Sequence, residues 1–343
     1  MHAVTFQAPG EVAVEQVADP RLAAPDDALV HVEASGICGS DLHIYHGRVP
    51  VEQGFTIGHE FVGTVLEAGP EVERVEVGDR VLGTFHTACA TCTPCIRGDY
   101  HRCDHGRTFG HGSKLGDLQG AQAERLLVPR ANLTLRRVPE GMSSDVALFA
   151  GDVMGTGYHA VAHAGVRAGD TIAVLGLGPV GLCAVQAARA AGAAQVFAVD
   201  TVADRLAMAQ RFGAAPLHLT EDDPKRAVRA ATGGGVDVTV DAVGDPGPLA
   251  LAVSLTRDAG VVSGIGAYAG KGEVPLGLAW LKGLQLRLGL ANVIAHVDRV
   301  LALMQAGILD PAPLVTHHMP LADASEAYRV YDAREALKIV LTP

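Results

Sequence analysis

The sequence has no long apolar run. Its most hydrophobic stretch, Thr171 to Val199, is broken by Gly176, Gly178, Gly181, Gln186, Arg189 and Gln195. It cannot supply the roughly 20 consecutive apolar residues of a bilayer span. Cationic side chains are also in the minority: 27 Lys and Arg stand against 38 Asp and Glu, for a net charge of −11. A nucleic-acid surface needs clustered lysine and arginine to displace counterions, so this balance argues against one. It speaks for solubility rather than for a particular partner. Met1 to Glu15 lacks a basic region followed by an apolar run, and no signal peptide is expected. Internal repeats and low-complexity linkers are absent. A cytoplasmic location without membrane or nucleic-acid partners is the expectation.

Cysteine is too scarce for a disulfide scaffold, with six in 343 residues. Four of them, Cys89, Cys92, Cys95 and Cys103, fall in one short segment, which in a reducing compartment points to metal. The spacing C-x2-C-x2-C-x7-C lets one loop wrap a single ion, and a closed tetrahedral all-sulfur shell suits a structural zinc. An iron–sulfur cluster shares the first three cysteines, but there the fourth comes sooner and is followed by proline, whereas Asp104 follows Cys103. A redox dithiol at Cys92 and Cys95 would leave the outer two unexplained.

What is present is a globular composition, 48% hydrophobic and 19% charged, with 41 glycines. The length favours two domains. Val12 to Val17, Ala28 to Glu33, Phe61 to Glu67 and Asp79 to Gly83 read as short strands between turns, which predicts a mostly β domain. From about Val153 strands and helices alternate. Thr171 to Leu175 and Gln195 to Val199 read as strands, and Val180 to Ala191 and Ala203 to Phe212 as helices. The segments Leu217 to Leu219, Ala227 to Ala231, Val236 to Val240, Pro248 to Thr256, Gly260 to Ile265 and Leu284 to Leu290 continue the alternation. The pattern predicts an α/β domain around a parallel sheet. A helix over Ile294 to Gln305, a strand over Leu314 to Met319, a helix near Ala322 to Tyr331 and a strand over Leu337 to Leu341 close the chain.

Gly176-Leu177-Gly178-Pro179-Val180-Gly181 spells G-x-G-x-x-G between a predicted strand and a predicted helix. The first glycine permits the turn, the second lets backbone N–H groups approach a pyrophosphate, and the third allows close helix–strand packing. Asp200 ends the next strand at about the expected twenty-residue spacing. A carboxylate there accepts ribose hydroxyls and repels a 2′-phosphate, which favours NAD over NADP. Asp200 can equally cap the helix from Ala203, and Arg205 can lie over an adenosine or merely solvate a helix face.

A second set of metal-binding residue types is scattered: Cys38, His59 with Glu60, and Asp152. A cysteine, a histidine and an acid from separate segments have the composition of a catalytic zinc site with an open fourth position. Each also has a structural alternative. Cys38 suits a packed small hydrophobe, His59 a hydrogen-bonded core histidine, and Asp152 a helix N-cap. Spacing alone leaves the choice open.

Both Gly36-Ile37-Cys38-Gly39-Ser40-Asp41-Leu42-His43 and Gly58-His59-Glu60-Phe61-Val62-Gly63-Thr64-Val65 resemble the leading motifs of the zinc-containing medium-chain alcohol dehydrogenases. The four-cysteine spacing, the glycine loop and the ending Ala336 to Leu341 match in the same order, so the likeness runs nearly end to end. The stretch from Gly151 to Ala160 resembles bacterial branches in which aspartate replaces the third, usually cysteine, ligand. The resemblance implies a GroES-like catalytic domain, residues 1–153 and 292–343, with a structural zinc lobe at about 86–105. Inserted in it would be a doubly wound Rossmann coenzyme domain, residues 154–291. It implies two zinc ions per chain, NAD, a small alcohol or carbonyl substrate, and a homotetramer, with a dimer next. Cys38, His59 and Asp152 would hold the catalytic zinc, and Glu60 could enter the coordination sphere during ligand exchange. Asp41 would orient His59 through its far nitrogen. Ser40 and His43 match a proton relay that runs through the nicotinamide ribose, Phe85 a pocket wall, and Lys338 a basic position near the cofactor pyrophosphate. The region around Trp280 and Asn292 would add to the pocket walls. Polyols, L-threonine and formaldehyde hydrate are alternative substrates within the family, and a non-catalytic nucleotide-binding or structural relative is the alternative from another class. His46, His86, His101, His105, His111, His159, His163, His317 and His318 are assigned no role, and Cys183 is expected to be a packed thiol.

Overall fold

The computed structural model of the chain describes residues 1–268 and 272–343. Two compact units emerge: Met1–Asp152 with Asn292–Pro343, and Val153–Ala291.

The first unit is built on a seven-stranded sheet. Its strands run in the order Val315–Pro320, Lys338–Thr342, Ala28–Gly36, Glu60–Ala68, Arg80–Gly83 and Leu135–Arg137, with Arg125–Val128 also pairing to Ala28–Gly36. One core forms where Val30, Val65, Val81, Leu126 and Leu135 pack around Phe61 and Phe109, whose rings meet edge to face at 5.5 Å. A second gathers Val4, Phe6, Ile37, Ile44 and Ile57 against Tyr328, Ile339 and Leu341 from the far end of the chain. The last strand lies antiparallel to Ala28–Gly36, pairing Val340 with Gly36. This contact carries Lys338 to the segment that bears Cys38.

The predicted strands of this unit are present, and further elements go beyond them, among them the strands Arg125–Val128 and Leu135–Arg137. His2–Ala8 is a strand that pairs with Glu11–Gln16. Gly39–Tyr45 is a helix, too short and too polar to show an apolar period. It starts because Asp41, at its third position, accepts the backbone N–H of Cys38 at 2.9 Å, the returning half of a capping box.

The second unit has six parallel strands in the order Ala215–His218, Gln195–Asp200, Thr171–Leu175, Val236–Asp241, Thr256–Gly264 and Gln285–Leu288. Numbered along the chain this is 3-2-1-4-5-6, the doubly wound Rossmann order expected. Strand order reverses between Thr171–Leu175 and Val236–Asp241, and the glycine loop leaves the first of these. The helix Val153–Ala164 starts directly after Asp152, where a helix was the alternative reading of that residue, even though Gly155 and Gly157 weaken its propensity.

Candidate functional site

Four side chains from three segments meet in the first unit. Cys38 precedes the helix Gly39–Tyr45, His59 and Glu60 open the strand Glu60–Ala68, and Asp152 follows the turn Phe149–Gly151. One ligand atom from each lies within 4.8 Å of all the others, and all four residues are buried. Around an ion with bonds of about 2.0–2.3 Å, tetrahedral donors stand roughly 3.3–3.8 Å apart, so the cluster has the dimensions of a metal site. Its donors, a thiol, an imidazole and two carboxylates, suit zinc. The sequence set aside as scattered is therefore brought together.

His59 is held from both sides. Its Nε2 lies 3.1 Å from Asp152 Oδ2 and 3.2 Å from Ser40 Oγ. Its Nδ1 faces Asp41 Oδ1 at 3.1 Å, a close contact out of line for a good hydrogen bond. Burial opposes a charge on the ring, but Asp41 and Asp152 prevail and hold its pKa well above the usual histidine range. Asp152 is likewise subject to burial, yet His59 brings its carboxyl below the ordinary value. Burial raises the Cys38 thiol, and the Asp152 charge adds to this. Each of these groups is thus set against its neighbours' charge, and a divalent cation between them relieves the thiolate and the carboxylate together.

Behind the cluster stands a polar chain that the sequence did not reveal. Gln122 Nε2 donates to Gly36 O at 3.1 Å and approaches Asp41 Oδ2 at 3.5 Å. Tyr328 Oη donates to Gln122 Oε1 at 2.9 Å. No local motif marks either residue, because their link to the site is a matter of tertiary packing.

Glu60 is completed from the C-terminus. Lys338 Nζ donates to Glu60 Oε1 at 2.7 Å and Oε2 at 2.5 Å, and to Ile37 O at 3.1 Å. Both side chains are 0% exposed. Burial pushes the Glu60 carboxyl up to about 7, with Lys338 pulling the other way. Burial alone would lower Lys338, but the Glu60 charge holds it above its ordinary value. Gly36 makes room: a Cβ there would come within 1.9 Å of Glu60 Oε2. The Lys338 ammonium is thus committed to a buried carboxylate.

Of the remaining expected residues, Ser40 and His43 lie three apart in the helix Gly39–Tyr45, hence on one face. Phe85 is half-buried and meets the His59 ring edge to face at 6.3 Å. Trp280 is 83% exposed. Asn292 is buried, with Nδ2 donating to Gly98 O at 2.7 Å, which places it beside the cysteine lobe.

In that lobe Cys89, Cys92, Cys95 and Cys103 bring their sulfurs within 4.8 Å of one another. Cys92 Sγ and Cys103 Sγ are 3.8 Å apart, close to the edge of a tetrahedron with Zn–S bonds of about 2.3 Å. It is far longer than a disulfide, and all six cysteines are free. Backbone N–H groups of Cys89 and His105 point at Cys103 Sγ, and that of Cys92 at Cys89 Sγ, which favours thiolates.

The glycine loop in the second unit has the form its pattern requires. Gly176 has φ +81°. A Cβ on Gly181 would fall 1.8 Å from Gly176 O, while one on Gly178 would meet nothing within 4 Å. Gly178 thus leaves backbone open at the start of the helix Pro179–Ala190, of which Pro179, Val180 and Gly181 form the first turn. Asp200 Oδ2 accepts the Leu177 N–H at 2.5 Å, and Oδ1 accepts those of Thr201 and Val202. Asp200 therefore ties the loop to the next strand, and Oδ1 also serves the cap-like turn before the helix Ala203–Arg211, which carries Arg205.

Comparison with known proteins bears on both units. The family description "Alcohol dehydrogenase GroES-like domain" matches residues 24–140, and "Zinc-binding dehydrogenase" matches residues 179–305. A Mycobacterium tuberculosis protein named "Probable zinc-binding alcohol dehydrogenase" is 39% identical, covering 100% of this chain and 89% of its own. An alcohol dehydrogenase of Cupriavidus necator is 32% identical over 100% and 99% of the two chains. Among solved structures, an alcohol dehydrogenase from Thermus sp. ATN1 superposes with a TM-score of 0.96 at 44% identity, covering 100% and 99%. An Escherichia coli alcohol dehydrogenase with NADH matches at TM-score 0.90 and 26% identity, covering 100% and 99%. A Sinorhizobium meliloti zinc-binding dehydrogenase with NADP matches at 0.85 and 30%, covering 100% and 99%.

Proposed function

The chain belongs to the zinc-containing medium-chain alcohol dehydrogenase family, and we propose that it catalyses NAD-linked, reversible hydride transfer between a small alcohol and its carbonyl partner. The observation that carries this reading is the buried convergence of Cys38, His59 and Asp152, with the Ser40 hydroxyl on the same imidazole.

Bound by these three residues, zinc would act as a Lewis acid that lowers the alcohol's pKa, while the nicotinamide supplies the hydride chemistry. The chain's own residues then have defined tasks. Cys38, His59 and Asp152 hold the ion, and Asp41 fixes the His59 ring and, through the Cys38 N–H, the start of the neighbouring helix. Ser40 Oγ takes the substrate's hydroxyl proton and passes it toward His43 on the same helix face. Glu60, pinned by Lys338, stands by as a further carboxylate. Cys89, Cys92, Cys95 and Cys103 hold a second, structural zinc, for two per chain. Ser40→Ala removes the first proton acceptor, and kcat is expected to fall about a hundredfold, within the range for general acid–base groups. A variant that turns over like the parent removes Ser40 from the relay.

The carboxylate of Asp200 beside the glycine loop supports NAD as the cofactor, since it repels a 2′-phosphate. In Asp200→Gly the KM for NAD should rise roughly tenfold and discrimination against NADP should weaken. Steady-state kinetics with both cofactors check this, and an unaltered preference refutes it. The free cysteines fit a reducing cytoplasm, and no helix among the described residues is long and apolar enough to cross a membrane. A homo-oligomer, a tetramer or a dimer, is supported by the apolar surface of the second unit. There Trp280, Leu281 and Leu276 of the helix Leu276–Leu281 are exposed, as is Leu288 of the sheet-edge strand Gln285–Leu288, and exposed large apolar side chains and open strand edges are features that interfaces cover. The primary test is a spectrophotometric screen of alcohols and aldehydes with NAD(H), paired with metal analysis. Turnover with two zinc per chain supports the proposal, and no turnover at full metal content defeats it.

A further inference from the structure

The strand Val236–Asp241 of the second unit ends on a buried carboxylate that has no part in the metal-binding cluster. Asp241 is 0% exposed, and it stands at the carboxyl end of the sheet beside the point where strand order reverses. In doubly wound sheets the crevice at that point receives the dinucleotide. One lip is the glycine loop, which follows Thr171–Leu175. The other is the turn 242–244, which follows Asp241. The two lips touch: Ala242 N–H donates to Leu175 O at 2.9 Å, and a Cβ on Gly176 would come within 2.4 Å of Val243 Cγ2.

Asp241 ties this second lip to the segment that leaves the strand Thr256–Gly264. Its backbone oxygen accepts the N–H groups of Ile265 at 2.9 Å and Gly266 at 3.1 Å. Its Oδ1 accepts those of Val243 at 2.9 Å and Gly244 at 3.4 Å. Its Oδ2 accepts the Tyr268 hydroxyl at 2.6 Å. An O–H bond to a carboxylate at that length is charge-assisted, about twice as strong as a neutral one. Burial raises the Asp241 pKa, and the Tyr268 hydroxyl leads the donors that oppose this. The packing leaves little slack. Gly244 has φ +87°, and a Cβ on Gly266 would fall 2.1 Å from Gly244 N.

We propose that Tyr268 is a positioning residue for the dinucleotide, acting through Asp241 to hold the turn 242–244 against the glycine loop. A carboxylate is one rigid plane, so a donor on Oδ2 sets where Oδ1 points. Without the phenol the buried carboxylate loses its strongest donor, and it must turn toward water or take up a proton. Either change weakens the acceptor that Val243 and Gly244 depend on. A turn that is only partly in place lowers apparent affinity by the fraction that is competent, while the bound complex reacts as before. The arrangement mirrors Asp200, which ties the first lip through the Leu177 N–H. The inference rests on the dinucleotide reading above.

Fluorescence titration of NADH on the zinc-loaded protein, with steady-state kinetics, tests it. Tyr268→Phe should raise the Kd for NADH and the KM for NAD about tenfold, the scale of one hydrogen bond to a charged group. At saturating NAD its kcat should stay within about twofold of the parent's. Asp241→Asn keeps an acceptor for the turn and a donor for the phenol oxygen, and should hold most of the affinity. In an Asp241→Ala background, adding Tyr268→Phe should cost less than about twofold more, because the two residues act as one unit. If that background does not accumulate, the split between KM and kcat in Tyr268→Phe decides. A tie that merely braces the fold would lower the melting temperature and leave the Kd in place, which overturns the proposal. So does a loss that persists undiminished in the Asp241→Ala background, since the phenol would then touch the cofactor itself. Both results leave the dehydrogenase reading standing, whereas a parent that binds no NADH sinks the two together.

Discussion

Asp152→Ala yields a protein with one zinc per chain instead of two and a kcat/KM for alcohols at least about a thousandfold below the parent's, the scale of losing a Lewis acid. The geometry makes this variant the sharpest test of the site. Asp152 supplies one of the three donors that, with Cys38 and His59, surround the candidate ion position, and two protein ligands hold zinc far less well than three. Its Oδ2 also contacts His59 Nε2, so its loss frees the ring on its metal side while Asp41 still holds the other. The glycine loop lies in the other compact unit, and NADH binding, read by fluorescence, should persist. Asp152→Cys restores a donor that zinc accepts, and should recover metal and part of the turnover. Full activity in the alanine variant removes Asp152 from the site.

Lys338→Met lowers stability by about 3–5 kcal/mol, the cost of breaking a buried ion pair from one side. Both side chains are 0% exposed, and Glu60 loses the only cation that touches it among the described residues. Water cannot replace that ammonium, so the carboxylate is left in a low-dielectric interior beside Asp152. At roughly 2–4 °C per kcal/mol the melting temperature should fall by about 10 °C. The double variant Lys338→Met/Glu60→Leu should regain most of the loss, since an apolar pair of similar volume avoids the desolvation of two charges. Calorimetry on the metal-loaded protein checks both. A single variant as stable as the parent would show that the pair is not an energetic link between the last strand and the metal-binding segment.

Local patterns announced much of this molecule. The four-cysteine spacing foretold that these sulfurs would gather because all four come from one loop, and distance along the chain there limits distance in space. The glycine loop was legible for the same reason, with Gly176, Gly178 and Gly181 each answering a steric demand of one strand–turn–helix unit. Alternating strands and helices gave the doubly wound sheet, since apolar periodicity reports burial directly.

What the amino-acid order left open is whatever depends on pairing distant segments. Cys38, His59 and Asp152 were individually compatible with a core thiol, a core imidazole and a helix cap. Only the folded sheet, with the turn before Asp152 set against it, made them one site. The partner of Lys338 was hidden for the same reason, because the antiparallel contact of the final strand with Ala28–Gly36 delivers its ammonium to Glu60. Composition and spacing thus determined which chemistries the chain could carry, while long-range packing decided which side chains share one low-dielectric space, and charge and hydrogen-bond satisfaction are properties of that space.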